Sequence, residues 1–151
     1  PQFERPGQWL DGSVGRFLYE RCNVAVRVMM QRVAGSKLTS SALHHYLHAQ
    51  STPEARHAAW VFARELIGSS DWLADLMRRN ERIKDLPTLI LWGLKDGALP
   101  KKILQNWSLL MTHAKIATFP DAGHLVFEDE GDALCPLIEK FLASHDSPRQ
   151  P

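Results

Sequence analysis

Apolar positions recur at near-helical spacing through the first 86 residues. Between Asp11 and Val33 they fall at Phe17, Leu18, Val24, Val28 and Val33, the pattern of an amphipathic helix. A break is expected near Arg21-Cys22-Asn23 and an end at Gly35-Ser36. A short helix is expected from Ser40 to Leu47. The next has a marked start. Thr52 can cap, Pro53 suits the first helical position, and Glu54 sits where the positive end of the helix dipole favours an anion. Its apolar face reads Ala55, Ala59, Phe62 and Leu66, and Gly68 stops it. Ser70 then caps a short helix carrying Trp72, Leu73, Leu76 and Met77.

The pattern changes at Pro87. Thr88 to Trp92 is an almost unbroken apolar run, which fits a strand covered on both faces, as in a parallel sheet. Gly93 to Leu99 reads as loop, and Pro100 opens a helix with Ile103, Trp107 and Leu110 on one face. Lys115 to Phe119 is a second short strand and Pro120 to Gly123 a turn. A last helix runs to about Ala143, with Leu134, Leu137, Ile138, Phe141 and Leu142 facing inward and Pro136 in or near its first turn. The fold class is α/β in three parts: a helical region over 1–86, a βαβ segment with a final helix over 87–143, and a polar, fraying tail over 144–151. The βαβ crossover is right-handed by the rule for parallel strands. Two parallel strands alone leave faces and edges uncovered. A partner sheet is therefore expected, either from a missing N-terminal half or by self-association through the exposed strand edge.

Composition narrows the function classes. The 151 residues are 44% hydrophobic and 23% charged, with a net charge of +1, which is a globular composition. The adjacent basic pairs Arg78-Arg79 and Lys101-Lys102 are too small for a nucleic-acid footprint. No apolar run approaches the roughly 20 residues of a membrane span, and the first residues do not read as a signal peptide. Cys22 and Cys135 stand far apart, so reduced thiols and a cytoplasmic location are expected.

Reactive groups of open α/β sheets sit in loops just past the carboxyl ends of the strands. Gly93-Leu94-Lys95-Asp96-Gly97 offers a carboxylate there, and Asp121-Ala122-Gly123-His124 an imidazole. Neighbouring strands lie about 4.8 Å apart, so their end loops meet. A carboxylate and a histidine held there can form the orienting pair of a triad. Asp121, Glu128 and Asp129 read as turn or helix-start carboxylates. His44 and His48 share a helix face, but without a further ligand no metal site is expected. Trp60, Phe62 and Trp72 could line an apolar substrate pocket, with core packing the competing role.

Leu91-Trp92-Gly93-Leu94-Lys95-Asp96, followed by Asp121-Ala122-Gly123-His124, resembles the last two motif loops of the α/β-hydrolases, in that family's order of acid then histidine. The details are most similar to haloalkane dehalogenases. Thr52-Pro53-Glu54, Trp60-Val61-Phe62 and Gly68-Ser69-Ser70-Asp71-Trp72-Leu73 resemble their helical cap. The resemblance covers nearly the whole chain but only the later half of the family's fold. It implies a cap over 1–86 and the C-terminal part of an α/β-hydrolase core over 87–143. It implies Asp96 as triad acid, His124 as general base, and a small apolar substrate such as a halogenated alkane, with no cofactor. The family's nucleophile is an aspartate preceding the cap. No Gly-x-Asp-Trp-Gly or Gly-x-Ser-x-Gly pattern occurs in these residues, so the chain alone is expected to be inactive. An epoxide hydrolase, with Tyr19 and Tyr46 as candidate proton donors, an esterase, and a non-catalytic piece needing a partner chain are the alternatives.

Overall fold

A computed structural model describes residues 10–34, 38–79 and 83–145, so the expected helix end at Gly35-Ser36 lies outside the described residues. The chain divides into one unit of Pro1–Gln31 and Thr39–Asn80 and a second of Arg32–Leu38 and Glu81–Pro151. Residues 32–38, grouped by sequence with the helices, therefore belong with the βαβ segment.

In the helical unit, α1 (Ser13–Glu20) ends where the sequence expects a break. The cause is Asn23, whose φ of 50° lies in the left-handed region that asparagine tolerates. The chain then re-enters a helix, α2, that is π-helical over Ala25–Met30; its α-helical end, Gln31–Val33, runs from this unit into the second at Arg32. α3 (Ser40–Ala49) is capped by Thr39, whose hydroxyl accepts the Ala42 N–H. α4 (Pro53–Gly68) is capped by Thr52, which accepts from Ala55, with Pro53 at its start. α5 (Ser70–Arg78) begins at Ser70, but its cap residue is Ser69. The Ser69 N–H still bonds back to Glu65 O at 2.9 Å, so α4 runs into α5 with no separate capped start.

The buried apolar centre of this unit is Tyr19, Val26 and Trp60. The Trp60 indole donates to Leu10 O at 2.8 Å, and the guanidinium groups of Arg16 and Arg64 lie 5.7 and 4.9 Å from its ring centre. Arg56 donates to three carbonyls, Gln50 at 2.7 Å, Glu20 at 2.9 Å and Ser51 at 2.6 Å. It thereby ties the end of α1 to the turn before α4 and satisfies carbonyls that helix ends leave free. The buried side of α4 thus follows Arg56, Trp60 and Arg64, while Phe62 and Leu66 are exposed, so the apolar face expected from Ala55, Ala59, Phe62 and Leu66 is corrected. The physical reason is that the largest ring, together with the aliphatic stems of the arginines beside it, buries more than alanine and one phenylalanine can.

In the second unit, β1 (Leu89–Gly93) and β2 (Lys115–Phe119) pair in parallel, from Leu89 opposite Lys115 to Gly93 opposite Phe119. α6 (Lys101–Leu110) connects them, with Ile103, Trp107 and Leu110 half-buried as expected. α7 (Val126–Ala143) packs on β1. It starts ten residues before Pro136, so the proline stands inside the helix and not in its first turn. A non-helical Glu130 (φ −136°, ψ 30°) divides α7 into a short first turn and a longer second part. Of the five side chains expected to face inward on α7, Leu134 is buried, whereas Leu137, Ile138 and Leu142 are exposed. The first four residues of β1 are half-buried, not covered on both faces. Both corrections share one cause: among the described residues the sheet has two strands, too narrow to cover a helix face of this length. Cys22 and Cys135 are free and exposed. No described helix is long and apolar enough to cross a membrane.

Thr52→Ala should destabilise the helical unit by about 1 kcal/mol, read as a lower denaturant midpoint with unchanged slope. Glu20 supplies a pH signature. Hydrogen bonding to His57 is the main reason its carboxyl lies below the ordinary carboxylate value; desolvation opposes the shift and Arg16 adds to it. Its stabilising contribution is complete above that ordinary value and is lost as the pH falls through the lower folded one. Melting temperature measured from neutral to acid pH should therefore fall less steeply in Glu20→Gln than in the parent chain.

Candidate active site

The site is built where the two strands end. Parallel pairing brings the loop after β1 beside the loop after β2, and the ladder continues into them. Leu94 N–H donates to Phe119 O and Lys95 N–H to Ala122 O, each at 2.9 Å. The approach is close enough that a Cβ on Gly93 would stand 2.1 Å from Gly123 O and 2.6 Å from Ala122 O. Only glycine allows the loops to close to this distance.

Asp96 and His124 face each other across this contact, with Asp96 Oδ2 2.9 Å from His124 Nδ1. The other carboxylate oxygen accepts two backbone N–H groups, from Ala98 at 2.7 Å and Leu99 at 2.8 Å. Asp96 is thus held from both sides and its side chain is 8% exposed, whereas that of His124 is 36% exposed. A ring whose Nδ1–H donates to a carboxylate has Nε2 as its basic nitrogen. The exposure difference leaves this ring accessible while its acid is enclosed.

The turn before His124 is held at its backbone. His124 N–H donates to Val33 O at 2.9 Å, and Gly123 N–H donates to Asp129 Oδ2 at 2.7 Å. Lys95 Nζ pairs with Asp121 at 2.7 Å, both side chains well exposed. Neither Val33 nor a loop-holding role for Asp129 was legible in sequence. The Val33 contact is made by a carbonyl, which carries no side-chain signal. Asp129 does sit in the first turn of α7, beside Glu128, as a helix-start carboxylate should; its reach back to Gly123 depends on tertiary geometry.

The three aromatic candidates lie in the helical unit. Trp60 is packed inside it, whereas Phe62 on α4 is 68% exposed and Trp72 on α5 is 62% exposed. Tyr19 is buried with its hydroxyl 3.1 Å from Met29 Sδ, and that burial raises its pKa. The rings of His44 and His45 meet edge-on at 6.3 Å. Among the described residues no group of three His, Cys, Asp or Glu side chains is placed to hold a metal ion.

Gly93→Ala should destabilise the second unit by about 3 kcal/mol or more, because backbone on both sides of the contact must move. Gly131→Ala is the control: a Cβ there meets nothing within 4 Å, and the change should stabilise by roughly 0.5–1 kcal/mol. Denaturant titration of both variants checks the pair.

No family model matches the chain. Among curated proteins it is 32% identical over 75 residues to the cis-3-alkyl-4-alkyloxetan-2-one decarboxylase of Shewanella oneidensis, a match covering 50% of this chain and 24% of that protein. It is 29% identical over 106 residues to haloalkane dehalogenase 2 of Mycobacterium tuberculosis, covering 68% of this chain and 37% of that one. Among solved structures, a loop variant of the haloalkane dehalogenase DbeA from Bradyrhizobium elkanii superposes with a TM-score of 0.77 at 16% identity, over 93% of this chain and 48% of that one. The matches thus span between a quarter and a half of these proteins' lengths, and the structural likeness is one of fold. The chain is similar in sequence to haloalkane dehalogenases and to an oxetanone decarboxylase, and it has the α/β-hydrolase fold of the dehalogenase structures over about half of their length.

Proposed function

We propose that this chain supplies the acid and the base of a haloalkane dehalogenase-like active site, with His124 as general base and Asp96 as its orienting acid. The observation that carries the reading is the 2.9 Å contact between a buried, doubly anchored carboxylate and the Nδ1 of an accessible imidazole, at the carboxyl ends of adjacent parallel strands. In the proposed reaction an aspartate nucleophile, supplied from outside these 151 residues, displaces halide from carbon and forms an alkyl ester. His124 Nε2 then takes a proton from water, and the resulting hydroxide attacks the ester carbonyl. Asp96 stabilises the imidazolium that forms. The products are alcohol, halide and a proton, and no step requires a cofactor. Of the three aromatic candidates, the exposed Phe62 and Trp72 are proposed as apolar side chains that the substrate meets, while Trp60 is packed inside the helical unit. The partner is the segment carrying the nucleophile, or a second copy of the chain.

The 32% identity to an oxetanone decarboxylase favours a second reading. The same acid and base would then serve loss of carbon dioxide from a small dialkyl four-membered lactone. An esterase or epoxide hydrolase has no comparable support.

One experiment separates these readings. The chain is assayed with 1,2-dibromoethane and with a cis-dialkyloxetan-2-one, alone and co-expressed with the N-terminal half of a haloalkane dehalogenase. The chain alone should release neither bromide nor carbon dioxide. The co-expressed pair should release bromide, and His124→Ala or Asp96→Asn should reduce the rate by about a thousandfold or more. Release by the chain alone that vanishes in His124→Ala would place the nucleophile within these residues. A folded pair that yields carbon dioxide and no bromide would select the second reading, and one that yields neither would sink both.

A further inference from the structure

We propose that Asp129 is a positioning residue for His124, an inference that rests on reading His124 as the base. The turn that presents the imidazole is pinned at three successive backbone groups. Ala122 O accepts from Lys95 N–H and His124 N–H donates to Val33 O, each at 2.9 Å and each to main chain. The middle group, Gly123 N–H, is held by a side chain, Asp129 Oδ2, at 2.7 Å. That bond has a charged acceptor and the short length of a charge-assisted hydrogen bond. The neighbouring ion pair from Lys95 to Asp121 is solvated on both sides and weak by comparison.

Two features of α7 suit this task. Asp129 stands in the first turn, where the helix dipole favours a carboxylate. Glu130 then leaves helical geometry, so the orientation of residues 126–129 is released from that of the longer part of the helix. The second oxygen, Asp129 Oδ1, is buried and has no partner among the described residues. A buried, unpartnered carboxylate oxygen is a cost that stability alone does not explain. It is the cost of bringing Oδ2 up to Gly123. With Gly123 fixed, the Cα of His124 is fixed, and so is the approach of Nδ1 to Asp96. A shift of the turn by a few tenths of an ångström lengthens that contact towards the range where hydrogen bonds fail.

The test reads the imidazole itself, by nitrogen-15 NMR of the His124 ring in the full chain, without substrate and at a pH high enough for a neutral ring. The parent chain should show the Nδ1–H tautomer with a downfield Nδ1 proton. Asp129→Asn retains an acceptor oxygen for Gly123 and should keep both features. Asp129→Ala should lose the downfield resonance and shift the ring to a mixture of tautomers. Asp132→Ala, on an exposed neighbour, should change nothing. Parent-like spectra from Asp129→Ala overturn the proposal, as does an Asp129→Asn spectrum that matches Asp129→Ala. If Asp129→Ala does not fold, Asp129→Glu keeps the charge but moves the acceptor by one methylene; it should lose the resonance, and its retention overturns the proposal. Failure of halide or carbon dioxide release leaves this readout untouched. A parent ring with no preference for Nδ1–H overturns the acid–base reading and this inference together.

Discussion

The meeting of Gly93 with the backbone of residues 122 and 123 sets the rest of the site. Two five-residue strands give a short ladder, and a short ladder alone positions side chains loosely. Here the ladder does not end with the strands. It continues through the N–H groups of Leu94 and Lys95 onto the carbonyls of Phe119 and Ala122. Because a glycine stands at the contact, the loops close to backbone distance, and a carboxylate three residues beyond one strand reaches an imidazole five residues beyond the other. The acid is then locked by the two N–H groups leading towards α6.

The helical unit is organised on a different principle. Its apolar centre is small, and the work of joining its helices falls to polar groups that reach backbone. Arg56 closes three carbonyls, Asn23 donates to Gln50 O, and the Trp60 indole donates to Leu10 O. Such bonds specify one arrangement because a buried carbonyl without a donor is costly. They also leave much apolar surface unclaimed. Phe62, Leu66, Trp72, Leu76 and Met77 all remain exposed on α4 and α5, an unusual amount for two consecutive helices.

The relatives include proteins named haloalkane dehalogenase and cis-3-alkyl-4-alkyloxetan-2-one decarboxylase. An acid–histidine pair is a reusable half of such a site, since the same orienting chemistry serves different nucleophiles and leaving groups.

Much of this was legible in the residues themselves. The two strands, the connecting helix and the caps at Thr52 and Pro53 follow from local rules of periodicity and capping, and those rules act over a few residues. Asp96 and His124 were legible because each occupies a loop directly after a strand, where strand pairing alone makes the loops neighbours. The side of α4 that is buried was not legible, because the composition of one helix does not say that Arg16 and Arg64 will flank Trp60. The inward face of α7 was misread because its periodicity is that of a fully covered helix, while two strands cover only part of it. The contacts of Val33 and Asp129 with the turn before His124 link residues that periodicity cannot connect, one through a carbonyl far away in the chain and one through a kink at Glu130. The sequence by itself determined which elements form and which loops bring Asp96 and His124 together. Tertiary structure alone decided how tightly they are held, because that tightness comes from backbone groups that every residue shares and from Asp129, a side chain brought to the turn only by the fold.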